Sequence, residues 1–409
     1  MTTLTSIVIV GASAAGLCAA ETLCNRGYDG ALRLIGDEFH LPYDRPPLSK
    51  QVLCGSWQPE RVFLRDREAL AALGVDLLLG RTATALDAAG HQVVLSDGER
   101  IAFDGLIVAT GAAPRRLPGS DLAGVHLLRT LDDALSLRAH LSTQPTVVVV
   151  GAGFLGAEVA ATARGMGLTA TLVDPLPVPM RQQVGDRIGG LVARLHADHG
   201  TSVRCGLGVR RFLDAAGRVV GVELADGSVL YADLVVVAVG VTPAVGWLAD
   251  SGLPLGNGVE CDSKCRAAPG IYAAGDVACW PNRHFDTRMR LEHRLNATQQ
   301  AVAAAGNLLG DDQPYTPIPY FWTDQYDARI QVHGIVPADA DAAVLHGDPA
   351  DREFVAAYGR HGEVVGVLGW NSPRELRTAR QLVVDHAPWP LRMNTTTHRA
   401  AAVSVTGGS

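Results

Sequence analysis

The sequence predicts an α/β protein made of two parallel-sheet units followed by a smaller α+β domain, and three observations carry that prediction. Ser6–Leu23 reads SIVIVGASAAGLCAAETL, and the same plan returns at Thr146–Thr162 as TVVVVGAGFLGAEVAAT. Each copy is a β-branched run of strand length, a Gly-punctuated turn and an Ala-rich helical segment. A second strand arrives after each helix, at Ala31–Ile35 and at Ala170–Val173. From about Pro314 the pattern changes to a Pro-rich entry, mixed strands at Ala328–Val336, Glu353–Tyr358 and Val364–Trp370, and a helix near Arg374–Val384.

The remaining elements follow in chain order. Gly105–Ala109 and Leu234–Val239 read as further buried strands of the two units. Val93–Ser96 with Asp97-Gly98, and Val219–Leu224 with Asp226-Gly227, read as strands ending at hairpin turns. The polar, small-residue tail from about Asn394 is expected to be disordered.

Composition narrows the function. The 409 residues carry 35 cationic and 42 acidic side chains, for a net charge of −7, and no dense basic run, which argues against a nucleic-acid partner. Of the cations, 33 are Arg and only two, Lys50 and Lys264, are Lys. No run of apolar residues is long enough to cross a membrane. The apolar stretch Ile7–Ala20 has no basic residue before it and is interrupted by Gly11 and Gly16, so it does not read as a signal peptide. Seven scattered cysteines form no CxxC pair, so neither a disulfide framework nor a metal site is expected, and a reducing cytoplasm fits.

The glycine loops carry the chemistry. Gly11-Ala12-Ser13-Ala14-Ala15-Gly16 is a tight strand-to-helix turn that lets backbone N–H groups and a helix N-terminus meet a pyrophosphate. Ser13 stands where the second glycine is usual, so close backbone approach is less free. The next strand ends Ile35-Gly36-Asp37-Glu38, placing a carboxylate near a ribose hydroxyl. The second loop, Gly151-Ala152-Gly153-Phe154-Leu155-Gly156, keeps all three glycines, and its partner strand ends at Asp174. A carboxylate there accepts from ribose hydroxyls and repels a 2′-phosphate, favouring NADH over NADPH. Two Rossmann-like dinucleotide-binding domains in one chain imply FAD and a nicotinamide held together.

Further segments extend the pattern: Ile107-Val108-Ala109-Thr110-Gly111-Ala112, Val239-Gly240-Val241-Thr242-Pro243, and Gly270–Ala278 with its Gly275-Asp276 pair. With the paired loops they resemble the two-dinucleotide-binding-domain flavoproteins. That resemblance implies FAD on the first loop and the Gly-Asp segment, with Asp276 near the ribityl chain, and NADH on the second loop. The implied bounds are 1–112 for the first part of the FAD domain, 113–241 for the interrupting NAD domain, 242–313 for the second FAD part and 314–409 for the α+β domain.

Leu41-Pro42-Tyr43-Asp44-Arg45-Pro46-Pro47-Leu48-Ser49-Lys50 is a stiffened loop in which Ser49 could begin a helix. Its Lys is conspicuous in a chain that otherwise uses Arg, and lysine offers a compact charge that fits beside a flavin edge. Together with Phe321-Trp322-Thr323-Asp324-Gln325-Tyr326 and Leu127–Asp133, this loop is similar to the NADH-dependent ferredoxin reductases of oxygenase systems, a group that includes the putidaredoxin, rhodocoxin and biphenyl-dioxygenase reductases.

The resemblance runs from about residue 5 to residue 390. It implies that Lys50 pairs with Glu158 beside the flavin, that Arg129 contacts the FAD pyrophosphate or ribose, with Arg45 in the same site, and that Ala83 sits by the adenine. It also implies a [2Fe–2S] ferredoxin as electron acceptor and a cytochrome P450 or Rieske-type oxygenase downstream. Trp322 and Tyr326 are expected near the flavin face away from the nicotinamide, and Glu292-His293 before the helix under the flavin.

Two departures stand out. Arg294 occupies a position where many relatives have Trp. Val178 lies where an Arg usually follows the ribose carboxylate, with Arg181 nearby. His293 reads as a packing or helix-start residue more readily than as an acid–base group. Arg374, Arg377 and Arg380 recur at helical spacing; they form either a solvated face or, with Arg65, an edge that steers an acidic ferredoxin.

Two rivals share this framework. A thiol-disulfide or coenzyme A-disulfide reductase needs a redox cysteine near the flavin, and Leu41–Lys50 contains none. An apoptosis-inducing-factor-like flavoprotein would act as a redox switch rather than a turnover enzyme.

Overall fold

In a computed structural model, residues 4–391 are described, and three sheets organise them. The tail from Asn394 lies outside the described residues. The first sheet has six strands in the order Arg266–Ala268, Ile271–Ala273, Gly105–Val108, Ser6–Val10, Ala31–Gly36 and Asp76–Leu79. Ser6–Val10 is central and runs parallel to both neighbours, with Ile9 opposite Leu34 on one side and Ile107 on the other. Residues 266–273 thus return, after the second unit, to the sheet that the N-terminus began.

The second sheet is parallel throughout, in the order Ser202–Cys205, Ala170–Asp174, Val147–Val150, Leu234–Val237 and Val125–His126. All four valines of Val147–Val150 are buried, as a strand covered on both faces requires. The strand Leu234–Val237 stops two residues before the sequence reading ends it. The chain turns there, and Gly240 takes a positive φ of 92°. Both DG hairpins form, with Gly98 and Gly227 at φ 88° and 84°.

The third sheet is antiparallel, in the order Tyr320–Gln325, Ala328–Gly334, Glu363–Trp370, Glu353–Arg360 and Asp341–Asp348. It has two strands more than the sequence pattern shows. Asp341–Asp348 is an edge strand whose four apolar residues, Ala342–Leu345, run consecutively instead of alternating with polar ones. Tyr320–Gln325 hides its character because polar Thr323 and Gln325 occupy its buried positions. The helix Pro373–Val384 packs on this sheet through Leu376, Ala379 and Val383.

Two helices position the cleft. Ala14–Asn25 packs against Arg294–Leu308 through small side chains, among them Ala15, Ala19, Ala297, Ala301 and Ala304. Arg181–Asp198, whose helical path is broken at Gly185 (φ 76°, ψ 174°), buries Val184, Ile188, Val192 and Leu195 against Ile330, Val332 and Phe354 of the third sheet. It thereby ties the second unit to the C-terminal domain. No helix is long and apolar enough to cross a membrane among the described residues.

Candidate active site

A cleft of about 680 Å³ runs between the carboxyl ends of the two parallel sheets. In open α/β sheets ligands bind at such edges, where loops rather than strands face the opening. The first unit supplies Gly11–Ala15, Asp37 and Glu38, Tyr43, Arg45, Ser49 and Lys50, Ala109–Gly111, Gly275 and Asp276, and Glu292–Arg294. The second supplies Arg129, Gly151, Gly153–Leu155, Glu158, Asp174, Met180–Gln183 and Gly240, and the third contributes Phe321 and Trp322.

The two glycine loops are built alike. Gly11 takes φ +116°, and a Cβ there would lie 2.1 Å from the Ala109 carbonyl oxygen; Gly151 takes φ +103°, with the Ala238 oxygen 2.3 Å from its Cβ position. Only glycine fits either turn. Gly16 and Gly156 line no part of the cleft. Their Cβ positions fall 1.9 and 1.8 Å from the carbonyl oxygens of Gly11 and Gly151, so they let each helix lie directly on its loop. Glycine at both positions is therefore required by packing.

Both loops feed helices whose first turns lack any acidic side chain. Neither Ser13 nor Gly153 caps its helix with a side chain. The free N–H groups and the positive helix ends therefore face the cleft, where a pyrophosphate would bind. With an uncapped helix end in each loop and both loops lining one cleft, the residues fit the pyrophosphates of FAD and a nicotinamide dinucleotide.

Charged side chains are held in pairs across the cleft. The Arg45 guanidinium donates to Glu38 Oε1 at 2.7 Å, to the Tyr43 hydroxyl at 3.0 Å and to the Arg129 carbonyl at 2.5 Å. The Tyr43 hydroxyl donates to Glu38 at 2.5 Å, and burial pushes its ionisation well above the ordinary tyrosine range. Arg129 donates to Asp276 at 2.9 Å. Arg294, at the head of its helix, pairs with Asp44 of the proline loop. Asp37 is exposed at the rim. Asp174 accepts from Ala152 N–H at 2.7 Å and from Leu176 N–H at 2.8 Å, so it braces the second loop as well as facing the opening. Arg181 pairs with Asp186 at 2.7 Å.

Lys50 and Glu158 meet at 2.8 Å, with side chains only 14% and 9% exposed. They come from different units, so this ion pair joins the two halves of the cleft. Ser49 donates to the same carboxylate at 2.5 Å, and Thr323 donates to its other oxygen at 2.8 Å. Ser49 is thus not a helix start but the last residue of a 3₁₀ turn, Pro46–Ser49. Lys264, the other lysine, pairs with Asp312 away from the cleft.

Three of the expected residues have surroundings of another kind. Ala83 opens a small antiparallel strand and packs against the first core, while Leu79 lines the cleft nearby. Tyr326 turns away, stacking on His199 at 4.0 Å and bonding Thr201 at 2.7 Å, because it sits at a hairpin turn with φ 53°. His293 lines the cleft at the N-cap of its helix and packs on Phe321 at 5.1 Å between ring centroids, but it makes no capping bond, and its Nδ1 is buried without a protein partner.

Sequence reasoning missed Phe321, Met180, Ser49 and Thr323. For Thr323 a signal existed: a polar side chain between aromatics on a strand that must face a core. No cysteine lines the cleft, and burial pushes the Cys205 and Cys265 thiols up to about 12.

Burial also lowers His196, His293 and His333 from 6.5 to about 4. Between those values the unfolded chain binds more protons than the folded one. Stability is therefore full above about 6.5 and falls as the pH is lowered toward 4. Thermal melting across that window is expected to show a falling midpoint, and His196→Asn is expected to flatten the slope. A midpoint independent of pH there would contradict the burial argument.

Residues 5–304 match the family described as "Pyridine nucleotide-disulphide oxidoreductase", and residues 320–393 match "Reductase C-terminal". The chain is 38% identical over 382 residues to the probable ferredoxin reductase CtmF of Castellaniella defragrans, covering 92% of this chain and 93% of that one. It is 37% identical to rhodocoxin reductase of Rhodococcus erythropolis, covering 94% and 90%. Among solved structures, the covalent putidaredoxin reductase–putidaredoxin complex aligns with a TM-score of 0.90 at 33% identity, covering 94% of both chains.

Proposed function

The chain belongs to the pyridine nucleotide-disulphide oxidoreductase family, and from that premise we propose that it is an FAD-containing, NADH-dependent ferredoxin reductase. Its acceptor is a [2Fe–2S] ferredoxin that supplies a cytochrome P450 or Rieske-type oxygenase. The observation that carries the reading is the Lys50–Glu158 ion pair, buried where the two nucleotide loops converge in a cleft without a thiol.

FAD, when bound, supplies the chemistry of accepting a hydride from the nicotinamide and releasing electrons singly. The chain's own residues bind, orient and tune. Gly11–Ala15 would hold the FAD pyrophosphate on its helix end, with Asp37 and Glu38 toward the ribose and Arg129, Gly275 and Asp276 beyond. Gly151–Leu155 would hold NADH, and Asp174 would accept from its ribose and disfavour a 2′-phosphate. Lys50, oriented by Glu158, would stabilise negative charge on the reduced ring. Phe321 and Trp322 wall the cleft from the C-terminal side and exclude water. The free thiols are those of a protein working in a reducing compartment, the cytoplasm.

Stopped-flow absorbance tests this. Fast flavin bleaching by NADH, followed by ferredoxin-dependent cytochrome c reduction, is expected. A long-lived charge-transfer band with negligible ferredoxin turnover would overturn the reading in favour of a redox switch.

The ferredoxin surface follows from charge. Arg374, Arg377 and Arg380 are exposed on one helix of the C-terminal domain, and Arg65, paired with Glu21, is a further cation toward the first unit. Reversing the three helix arginines to Glu is expected to slow ferredoxin association roughly tenfold at low salt, with the difference shrinking as salt rises. Flavin reduction by NADH should be untouched. Unchanged association in the triple variant would remove this face from consideration.

A further inference from the structure

We infer that Gln325 is a positioning residue for the Lys50–Glu158 pair, acting through Thr323, with His196 fixing its orientation. The inference rests on the function proposed above, but its geometry lies outside the cleft. Gln325, Thr323 and His196 are all fully buried, at 1%, 0% and 0% exposure. Three polar side chains in an apolar interface are costly unless each finds a partner, so what they bond to is informative.

The bonds form one chain with one direction. A carboxylate only accepts, so Thr323 must donate to Glu158 Oε1 at 2.8 Å. The Thr323 oxygen is then free to accept, and Gln325 Nε2 donates to it at 3.1 Å. That choice turns the Gln325 carbonyl oxygen toward His196 Nε2, 2.9 Å away, so the imidazole carries its proton there. His196 Nδ1 is left as an acceptor for the Tyr326 hydroxyl at 3.3 Å. Tyr326 in turn bonds Thr201 at 2.7 Å. Beginning from the carboxylate, every donor direction is decided, and all of them point toward Glu158.

The same amide reaches the other wall of the cleft. Gln325 Nε2 lies 3.2 Å from Met180 Sδ. Met180 has φ +55° and precedes the helical turn, ending at Gly185, whose first residues, Arg181–Gln183, line the cleft beside the second loop. One side chain of the third domain therefore contacts the segment that borders the second loop and the residue that orients Glu158. Among the described residues, no other side chain bonds both Thr323 and Met180.

A satisfied core amide would stabilise the fold without regard to Glu158, whereas a positioning residue acts only through it. A double-mutant cycle in the holoenzyme separates the two. Gln325→Met removes the donor and acceptor at similar volume and is expected to lower the rate of flavin bleaching at saturating NADH about tenfold, with the NADH Kd changed less than twofold. In a Glu158→Gln background the same change should have almost no further effect.

Thr323→Val, which deletes one hydroxyl, should mimic Gln325→Met, and Thr323→Ser should behave as wild type. The cycle is repeated by thermal melting of the holoenzyme, where the shifts should again be non-additive. Equal fractional effects in both backgrounds would overturn the inference. If wild-type enzyme is not bleached by NADH, the proposed function falls instead, and the melting cycle still decides the linkage. Should Gln325→Met fail to fold, the Thr323 variants carry the test alone.

Discussion

Lys50→Met is expected to slow flavin reduction by NADH about 100-fold, the usual scale for removing a preorganised charge from a transition state. The ammonium sits 2.8 Å from Glu158 in surroundings that leave it 14% exposed, so solvent screens it little. Lys50→Arg keeps the charge and is still expected to lose rate, because a planar guanidinium presents its charge as a fixed fork rather than as the compact point that lysine sets beside Glu158. A wild-type bleaching rate in Lys50→Arg would show that lysine as such is incidental.

Stability moves differently from rate. Lys50→Met leaves a carboxylate buried without its cation and should cost about 3 kcal/mol. Adding Glu158→Gln removes the stranded charge, keeps partners for Ser49 and Thr323, and should restore most of the melting temperature. It should restore none of the rate. That split between melting and stopped-flow kinetics distinguishes a functional cation from a structural one.

Gly11→Ala has the second large effect, and it is expected to abolish FAD retention. A methyl there would sit 2.1 Å from the Ala109 carbonyl, on a backbone at φ +116°. Relief requires moving the end of the central strand pair, which is locked by the bond from Gly11 N–H to Ile35 O at 2.7 Å. The cost is at least about 3 kcal/mol from strain and overpacking combined. The ratio of flavin to protein absorbance after purification reads the outcome.

Gly153→Ser is the contrasting control. The nearest atom to its Cβ position is 3.9 Å away and its φ is an ordinary −72°, so the fold should persist. Ser13 already occupies the equivalent place in the first loop. Full flavin content in Gly11→Ala would refute the close approach on which both loops depend.

Local sequence determined a great deal of this protein. Each strand–loop–helix unit is written in consecutive residues, since β-branched runs, glycines at obligatory turns and Ala-rich helices act within a few positions of one another. Periodicity found the buried strands of both parallel sheets for the same reason. It failed at Tyr320–Gln325, where Thr323 and Gln325 replace the apolar residues that would have marked a strand, because their partners lie on other domains.

The resemblance carried by the motifs named Lys50 and Glu158, residues that no local rule connects. What brings them within 2.8 Å, and sets Ser49, Thr323, Gln325 and His196 behind them, is the packing of three domains against one another. Tyr326 shows the limit from the other side: four residues from Trp322, it sits in the hairpin turn itself at φ 53°, where strand alternation no longer sets its direction and His199 offers it a stacking surface. Short-range sterics are encoded in neighbouring residues and can be read from them. The partner of a buried polar group is chosen by the tertiary fold, because an unpaired one costs too much to leave and its mate can come from anywhere in the chain.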